Sequence, residues 1–260
     1  MNRNILIKKF FIFFAVIILT QFSFSCRVYD KEIELLDNTE VVAENFVIET
    51  FAKEVPQIDY SDITDLTLRE RFASINKLNQ SIGEDIYVSR EDYLKYRYKK
   101  VSILGDSISD NSSGVLHKYF RDMYQNSVGG RELMRGIEEF DEMKARDKVY
   151  DIFIFSLGNN AMKGIEMNVL QHVYDGLEGR PMIIPTIVMP YVGQERNRNR
   201  DLLEFIESHE NCYLADWNAI ARKSDKFILE DGVHPTGAGS EAYAQLLFKT
   251  VVDVCKKLEK

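Results

Sequence analysis

Cysteine is scarce: three residues in 260, too few for a disulfide framework. Basic charge is in deficit, with 33 Lys and Arg against 41 Asp and Glu and a formal net charge of −8. No basic run occurs beyond the N-terminus, so a nucleic-acid surface is not expected. No grouping of His, Cys and Asp has metal-ligand spacing, and no metal is expected. Gly129-Gly130 lacks the Lys-Ser/Thr ending of a phosphate loop, and no cofactor is expected. Internal repeats and low-complexity tracts are absent as well. The length allows one large domain with appendages.

The N-terminus differs from everything after it. Arg3, Lys8 and Lys9 precede an apolar run over 10–20, and Ser23-Phe24-Ser25-Cys26 follows. A basic start, a short apolar core and small residues before a cut site make an export signal. The run is short for a membrane-spanning helix, which needs about 20 residues. Cys26 after Ser-Phe-Ser resembles a bacterial lipobox cysteine, although Ser23 stands where Leu is usual. Lipid anchor, cleaved signal and uncleaved anchor all place the remainder outside the cytoplasmic membrane, on its outer face or in the periplasm. The expected organisation is a signal or membrane anchor over 1–26, a tether with short helices over 27–97, and a catalytic domain over 98–260. In the tether, Ser61-Asp-Ile-Thr-Asp65 reads as a capped start for a helix with Leu66, Leu68, Phe72, Ile75 and Leu78 at helical spacing, and Ser89 opens a second short helix.

From residue 100 onward strands alternate with helices. Strands are expected over 101–104, 151–157, 181–189 and 212–215, with a strand end and loop over 125–130. Helices are expected over 109–124, 132–145, 165–177, 196–209, 217–222 and 236–258. Such alternation predicts an α/β fold, a mostly parallel sheet with helices on both sides. Cys212 falls in a strand and Cys255 near the end of the last helix. An oxidising compartment permits a bridge between them, and two buried free thiols fit equally.

Four short motifs sit where loops follow strands: Gly105-Asp106-Ser107, Gly129-Gly130, Gly158-Asn159-Asn160 and Asp231-Gly-Val-His234. Each alone also reads as an ordinary turn. Together they supply an acyl-transfer site. A serine hydroxyl needs a base, and His234 is the candidate. Asp231, three residues earlier, can hold that imidazole in one tautomer. The oxyanion then needs preplaced donors, and the N–H groups of Ser107 and Gly130 with the Asn160 amide are candidates. Asp106 is expected to brace its own loop. His117, His172 and His209 lie on expected helices without acid partners and read as surface or packing residues; Trp217 reads as core.

These four blocks resemble those of the SGNH (GDSL-type) hydrolase superfamily: Gly105-Asp106-Ser107, Gly130, Gly158-x-Asn160 and Asp231-x-x-His234. The resemblance covers roughly 100–258. Ala161 departs from it, standing where many members have Asp. It implies a three-layer α/β/α sandwich with a flavodoxin-like sheet. Within the superfamily, Val128-Gly-Gly-Arg131-Glu, Gly158-Asn-Asn160, Ala215-Asp-Trp217 and Asp231-Gly-Val-His234 are similar to the extracellular catalytic domains of cell-wall polysaccharide O-acetyltransferases. Those relatives often carry a multi-helix membrane domain that supplies the acyl group. These 260 residues contain none, so the resemblance implies either a separate membrane acyl-donor protein or hydrolysis. The expectation is an exported, membrane-tethered serine esterase or O-acyltransferase acting on cell-envelope glycan. The alternatives are a lipid esterase or lysophospholipase, an inactive glycan-binding lipoprotein, and a structural envelope lipoprotein whose 27–97 region is the functional part.

Overall fold

The computed structural model describes residues 65–162 and 164–260. The expected export signal, Cys26 and the tether up to residue 64 lie outside the described residues. Helix α1, Leu66–Ile82, starts at Asp65, whose side chain accepts from the Leu68 N–H at 3.2 Å. Helix α2, Arg90–Tyr96, starts at Ser89, which accepts from the Asp92 N–H at 3.0 Å. Both satisfy an orphan donor of a first helical turn. Strand β1, Val101–Gly105, then enters α3, Ser107–Asn111, and α4, Ser113–Tyr119. There follow β2 (Met123–Ser127), α5 (Gly136–Ala145), β3 (Ile152–Ser156), α6 (Met167–Gly176), β4 (Met182–Pro185) and α7 (Val192–Ser208). The chain ends with β5 (Cys212–Ala215), α8 (Trp217–Ala221) and α9 (Gly237–Leu258).

The five strands pair in the order β2-β1-β3-β4-β5, every pair parallel. The expected fold class stands, with a sheet that is wholly rather than mostly parallel. Side chains on a strand alternate between faces, and both faces here are apolar. Ile103, Ile152, Ile154 and Ile183 join one core with Phe72, Tyr93, Tyr119 and Phe248. Leu104, Phe153, Phe155, Met182 and Ile184 join the other with Phe140, Leu170 and Phe205. Burial on both sides is what forces helices onto both faces and makes three layers. In this strand order the direction in which successive strands are added reverses between β1 and β3, and open α/β sheets open their ligand crevice at that switch point, outside the strands' carboxyl ends.

One expectation needs correction. The helix expected over 109–124 is two short helices, and β2 begins at Met123. This edge strand is half-buried and largely polar, so it lacks the apolar signature of the central strands. Helices α1 and α2, which precede residue 98, pack on the domain that follows. Phe72, Ile75, Ile86, Tyr93 and Tyr96 from the preceding segment belong to the α9 side of the core. Arg71 pairs with Glu241 on α9 at 3.0 Å. Gln245 donates to Asn79 Oδ1 at 2.8 Å and to the Ile86 carbonyl at 2.9 Å. Cys212 and Cys255 are both free. Among the described residues no helix is long and apolar enough to cross a membrane.

Candidate active site

The turn after β1 is held by its smallest residue. A Cβ on Gly105 would lie 2.7 Å from both Ser109 Cβ and Ser127 Oγ, so α3 can fold back over the strand end only past a glycine. Asp106 is fully buried. Its N–H donates to the Ser156 carbonyl on β3 at 3.1 Å, and its Oδ1 accepts from the Ile108 N–H at 3.1 Å. It therefore caps α3 and braces the loop, as expected, and Ser107 becomes the first helical residue. Burial pushes the Asp106 carboxyl up to about 6, against the opposing pull of the Ile108 and Asn159 N–H groups. Its Oδ2 has no hydrogen-bond partner; the Asn159 groups favour the charge from outside hydrogen-bond geometry. Beneath the turn, Ser109 Oγ donates to Ser156 Oγ at 2.7 Å, and Ser156 Oγ lies 2.7 Å from the Tyr243 hydroxyl. This buried chain of hydroxyls ties α3, β3 and α9 together.

The second segment of the candidate site is a loop before α9. Ile228 and Pro235 form an antiparallel bridge, and the Leu229 N–H donates to the His234 carbonyl at 2.8 Å. The Thr236 side chain caps α9 by accepting from the Gly239 N–H at 3.0 Å. At the loop tip Asp231 Oδ1 accepts from the N–H groups of Val233 and His234 at 2.9 and 3.0 Å. That local turn leaves Oδ2 for the imidazole.

The two segments meet. His234 Nδ1 is 2.7 Å from Asp231 Oδ2, and His234 Nε2 is 2.9 Å from Ser107 Oγ. Slight burial works to raise the Asp231 carboxyl, but the His234 and Val233 N–H groups and the imidazole bring it down to about 2. An ionised carboxylate can only accept, so Nδ1 carries the proton and Nε2 is left to accept from Ser107. Hydroxyl, imidazole and carboxylate thus stand in one line, with the tautomer set by the acid.

The remaining expected donors gather from the ends of β2 and β3. The Gly129 N–H donates to Asp110 Oδ2 on α3 at 3.1 Å, and Gly130 adopts φ +74, a left-handed conformation that glycine accepts freely. Asn160 Nδ2 donates to the Arg131 carbonyl at 3.3 Å. One amide hydrogen is fixed by that bond, and the other remains to serve a ligand. Arg131 is itself buried and donates from Nη1 to the carbonyls of Gly105 and Asn126. Strand β1 and the loops after β2 and β3 are therefore bonded to one another. No group of three or more His, Cys, Asp or Glu among the described residues is arranged to hold a metal ion.

Sequence reasoning missed several supporting residues. Arg131 lies in the stretch Val128-Gly-Gly-Arg131-Glu that carries part of the family resemblance, but nothing local signals its side-chain contacts or the Ser109–Ser156–Tyr243 chain. The lack of an acid partner expected for His172 is corrected: its Nε2 lies 2.8 Å from Asp141 Oδ1, on exposed helix surface. His117 contacts the Ser113 carbonyl, and His209 stacks on Phe205. Trp217 is buried in the core.

Sheet order, flanking helices and the serine turn after β1 define the class: the chain has the α/β fold of SGNH hydrolases. Among solved structures it is similar to the C-terminal catalytic domain of peptidoglycan O-acetyltransferase A from Streptococcus pneumoniae, which carries a methylsulfonyl adduct. The TM-score is 0.53 at 15% identity, covering 61% of this chain and 96% of that one. A family 3 carbohydrate esterase from Clostridium thermocellum matches at TM-score 0.49 and 12% identity, over 62% of this chain and 98% of that one. A GDSL-like lipase from Bacteroides thetaiotaomicron matches at TM-score 0.48 and 12% identity, over 71% and 99%. At these identities the likeness is one of fold. No protein-family model matches the sequence, and no curated protein sequence matches it.

Proposed function

We propose that this protein is a serine-dependent esterase or O-acyltransferase. The observation that carries the reading is the unbroken line Ser107 Oγ–His234–Asp231, at 2.9 and 2.7 Å. Ser107 Oγ attacks the ester carbonyl while His234 Nε2 takes its proton. Asp231 orients the imidazole and stabilises its cation. The N–H groups of Ser107 and Gly130 and the Asn160 amide receive the oxyanion. His234 then returns the proton to the leaving alcohol, and the acyl group rests on Ser107. A second hydroxyl, from water or from a sugar, loses its proton to His234 and releases the acyl group. Purified protein is expected to release p-nitrophenol from p-nitrophenyl acetate. Full activity in Ser107→Ala would refute the assignment.

The substrate class we infer is an O-acetylated cell-envelope glycan, reached from a membrane tether at Cys26. Support comes from the export-signal pattern ahead of the folded body and from the fold likeness to the pneumococcal acetyltransferase domain. If transfer is the physiological direction, the acetyl donor is delivered by a membrane partner. Mass spectrometry of acetylated and bare wall glycans after incubation with the protein separates the directions: loss of acetate marks an esterase. Gain in the presence of an acetyl donor marks a transferase.

A further inference from the structure

The loop that presents Asn160 is wrapped around a single cation. Arg198, on α7, is buried. Its Nη1 donates to the Gly158 carbonyl at 3.1 Å, to the Asn159 carbonyl at 2.8 Å and to Met189 Sδ at 3.2 Å. Its Nη2 donates to the Ala161 carbonyl. Three carbonyls of one tight loop therefore point inward at one guanidinium. The Asn160 side chain is held from a different direction, at the Arg131 carbonyl. Gly158, at φ +133, supplies the backbone conformation that begins this turn. Without that donor the Asn159 and Ala161 carbonyls would lose their link to α7, while the Gly158 carbonyl would keep the Ala161 N–H at 3.2 Å. The turn would stay closed but lose its anchor, and Asn160 would shift with it.

Helix α7 does not depend on Arg198 for its own place. Asn199 brackets Ile187, accepting from its N–H at 2.7 Å and donating to its carbonyl at 2.9 Å. Glu195 accepts from the Met189 N–H at 2.7 Å and pairs with Arg222. Leu202 and Phe205 anchor the helix in the core. The Arg198 head thus directs all its hydrogen bonds except the one to Met189 Sδ at the Asn160 loop.

We propose that Arg198 is a positioning residue that acts through the 158–161 loop to fix the Asn160 amide toward the Ser107 site. The inference rests on the assignment of Asn160 to the oxyanion. A planar fork can reach three carbonyls at once, whereas an ammonium is a single point of charge. Lysine is therefore not an equivalent residue here.

The test is a cycle of Arg198→Lys, Asn160→Ala and the double variant, with kcat and KM for p-nitrophenyl acetate and a melting curve for each. Arg198→Gln, which keeps two N–H donors, stands in if the lysine variant does not fold. Asn160→Ala is expected to lower kcat about 10²- to 10³-fold, the usual loss of an oxyanion donor. Arg198→Lys is expected to lower kcat by about 10- to 100-fold with KM within about twofold, the scale of a displaced catalytic group. In the Asn160→Ala background the same change should lower kcat by less than about twofold, because coupled residues are not additive. The melting temperature should fall equally in both backgrounds. Unchanged kcat in Arg198→Lys, or an equal loss in both backgrounds, would overturn this inference alone. Full activity in Asn160→Ala would overturn the oxyanion assignment and this inference with it.

Discussion

Arg131 donates from Nη1 to the Gly105 carbonyl at 2.9 Å, joining the loop after β2 to the last residue of the strand that leads into Ser107. The same guanidinium donates to the Asn126 carbonyl and side chain at 2.6 and 2.7 Å and lies 3.4 Å from Glu139. Removing it takes a donor from the Gly105 and Asn126 carbonyls and the cation from a largely buried carboxylate; the Val128 N–H stays on Gly105 at 3.3 Å and the Asn126 amide on Glu139 at 3.0 Å. Arg131→Met is expected to destabilise the fold by about 3 kcal/mol, read as a fall of roughly 6–12 °C in Tm. A shift below about 2 °C by calorimetry would show that the contacts are dispensable.

The triad is expected to behave as one unit. Ser107→Ala and His234→Ala should each lower kcat by at least about 10³-fold, and the double variant should be no worse than either single. Asp231→Asn should cost about 10²- to 10⁴-fold, because the amide no longer fixes the proton on Nδ1. Steady-state kinetics on p-nitrophenyl acetate checks all four. Losses that multiply in the double variant would mean that the two residues act separately.

Asp106 should make stability depend on pH. Its carboxyl titrates at about 6 in the folded protein because burial opposes its charge, against about 3.9 unfolded. Between those values the folded state holds a proton that the unfolded state has lost. Stability therefore falls as pH rises from about 4 to about 6, and returns on acidification through the same window. The total is on the order of 3 kcal/mol. Urea unfolding of wild type and Asp106→Asn at pH 4 and pH 7 isolates the contribution, since other carboxylates cancel in the difference. Parallel pH profiles would show that Asp106 does not titrate there.

Much of the site was legible because its parts are local. The apolar strand running into Gly105-Asp106-Ser107, and the three-residue step from Asp231 to His234, each signal their geometry within a few residues. The supporting parts are not local. Arg198 sits in the run Gln194-Glu-Arg-Asn-Arg-Asn-Arg200, which has the composition of a solvated helix face. Only the fold brings three carbonyls from 37–40 residues away onto its head group. The start of strand β2 reads as a continuation of the preceding helix because a polar edge strand lacks a two-sided apolar signature. The role of 65–97 was hidden because its partners, Glu241 and Gln245, lie some 160–170 residues later.

The His234 loop also rests on a close backbone approach. A Cβ on Gly239 would lie 1.9 Å from the Phe227 carbonyl oxygen, which itself accepts from the Thr236 N–H at 2.9 Å. Gly239→Ala must push α9 away from that loop. It is expected to cost more than about 3 kcal/mol, the upper range for overpacking, and to lower kcat by displacing His234. Chemical denaturation and kinetics on the same sample test both effects; wild-type values for each would contradict the packing described here.

The central claim is that Ser107 is a nucleophile activated by His234. Peptide mapping by mass spectrometry after treatment with a fluorophosphonate probe tests it most directly. The account predicts a single adduct on Ser107, absent in Ser107→Ala and formed far more slowly in His234→Ala. An unmodified Ser107 in the folded protein, or labelling that does not depend on His234, would contradict it.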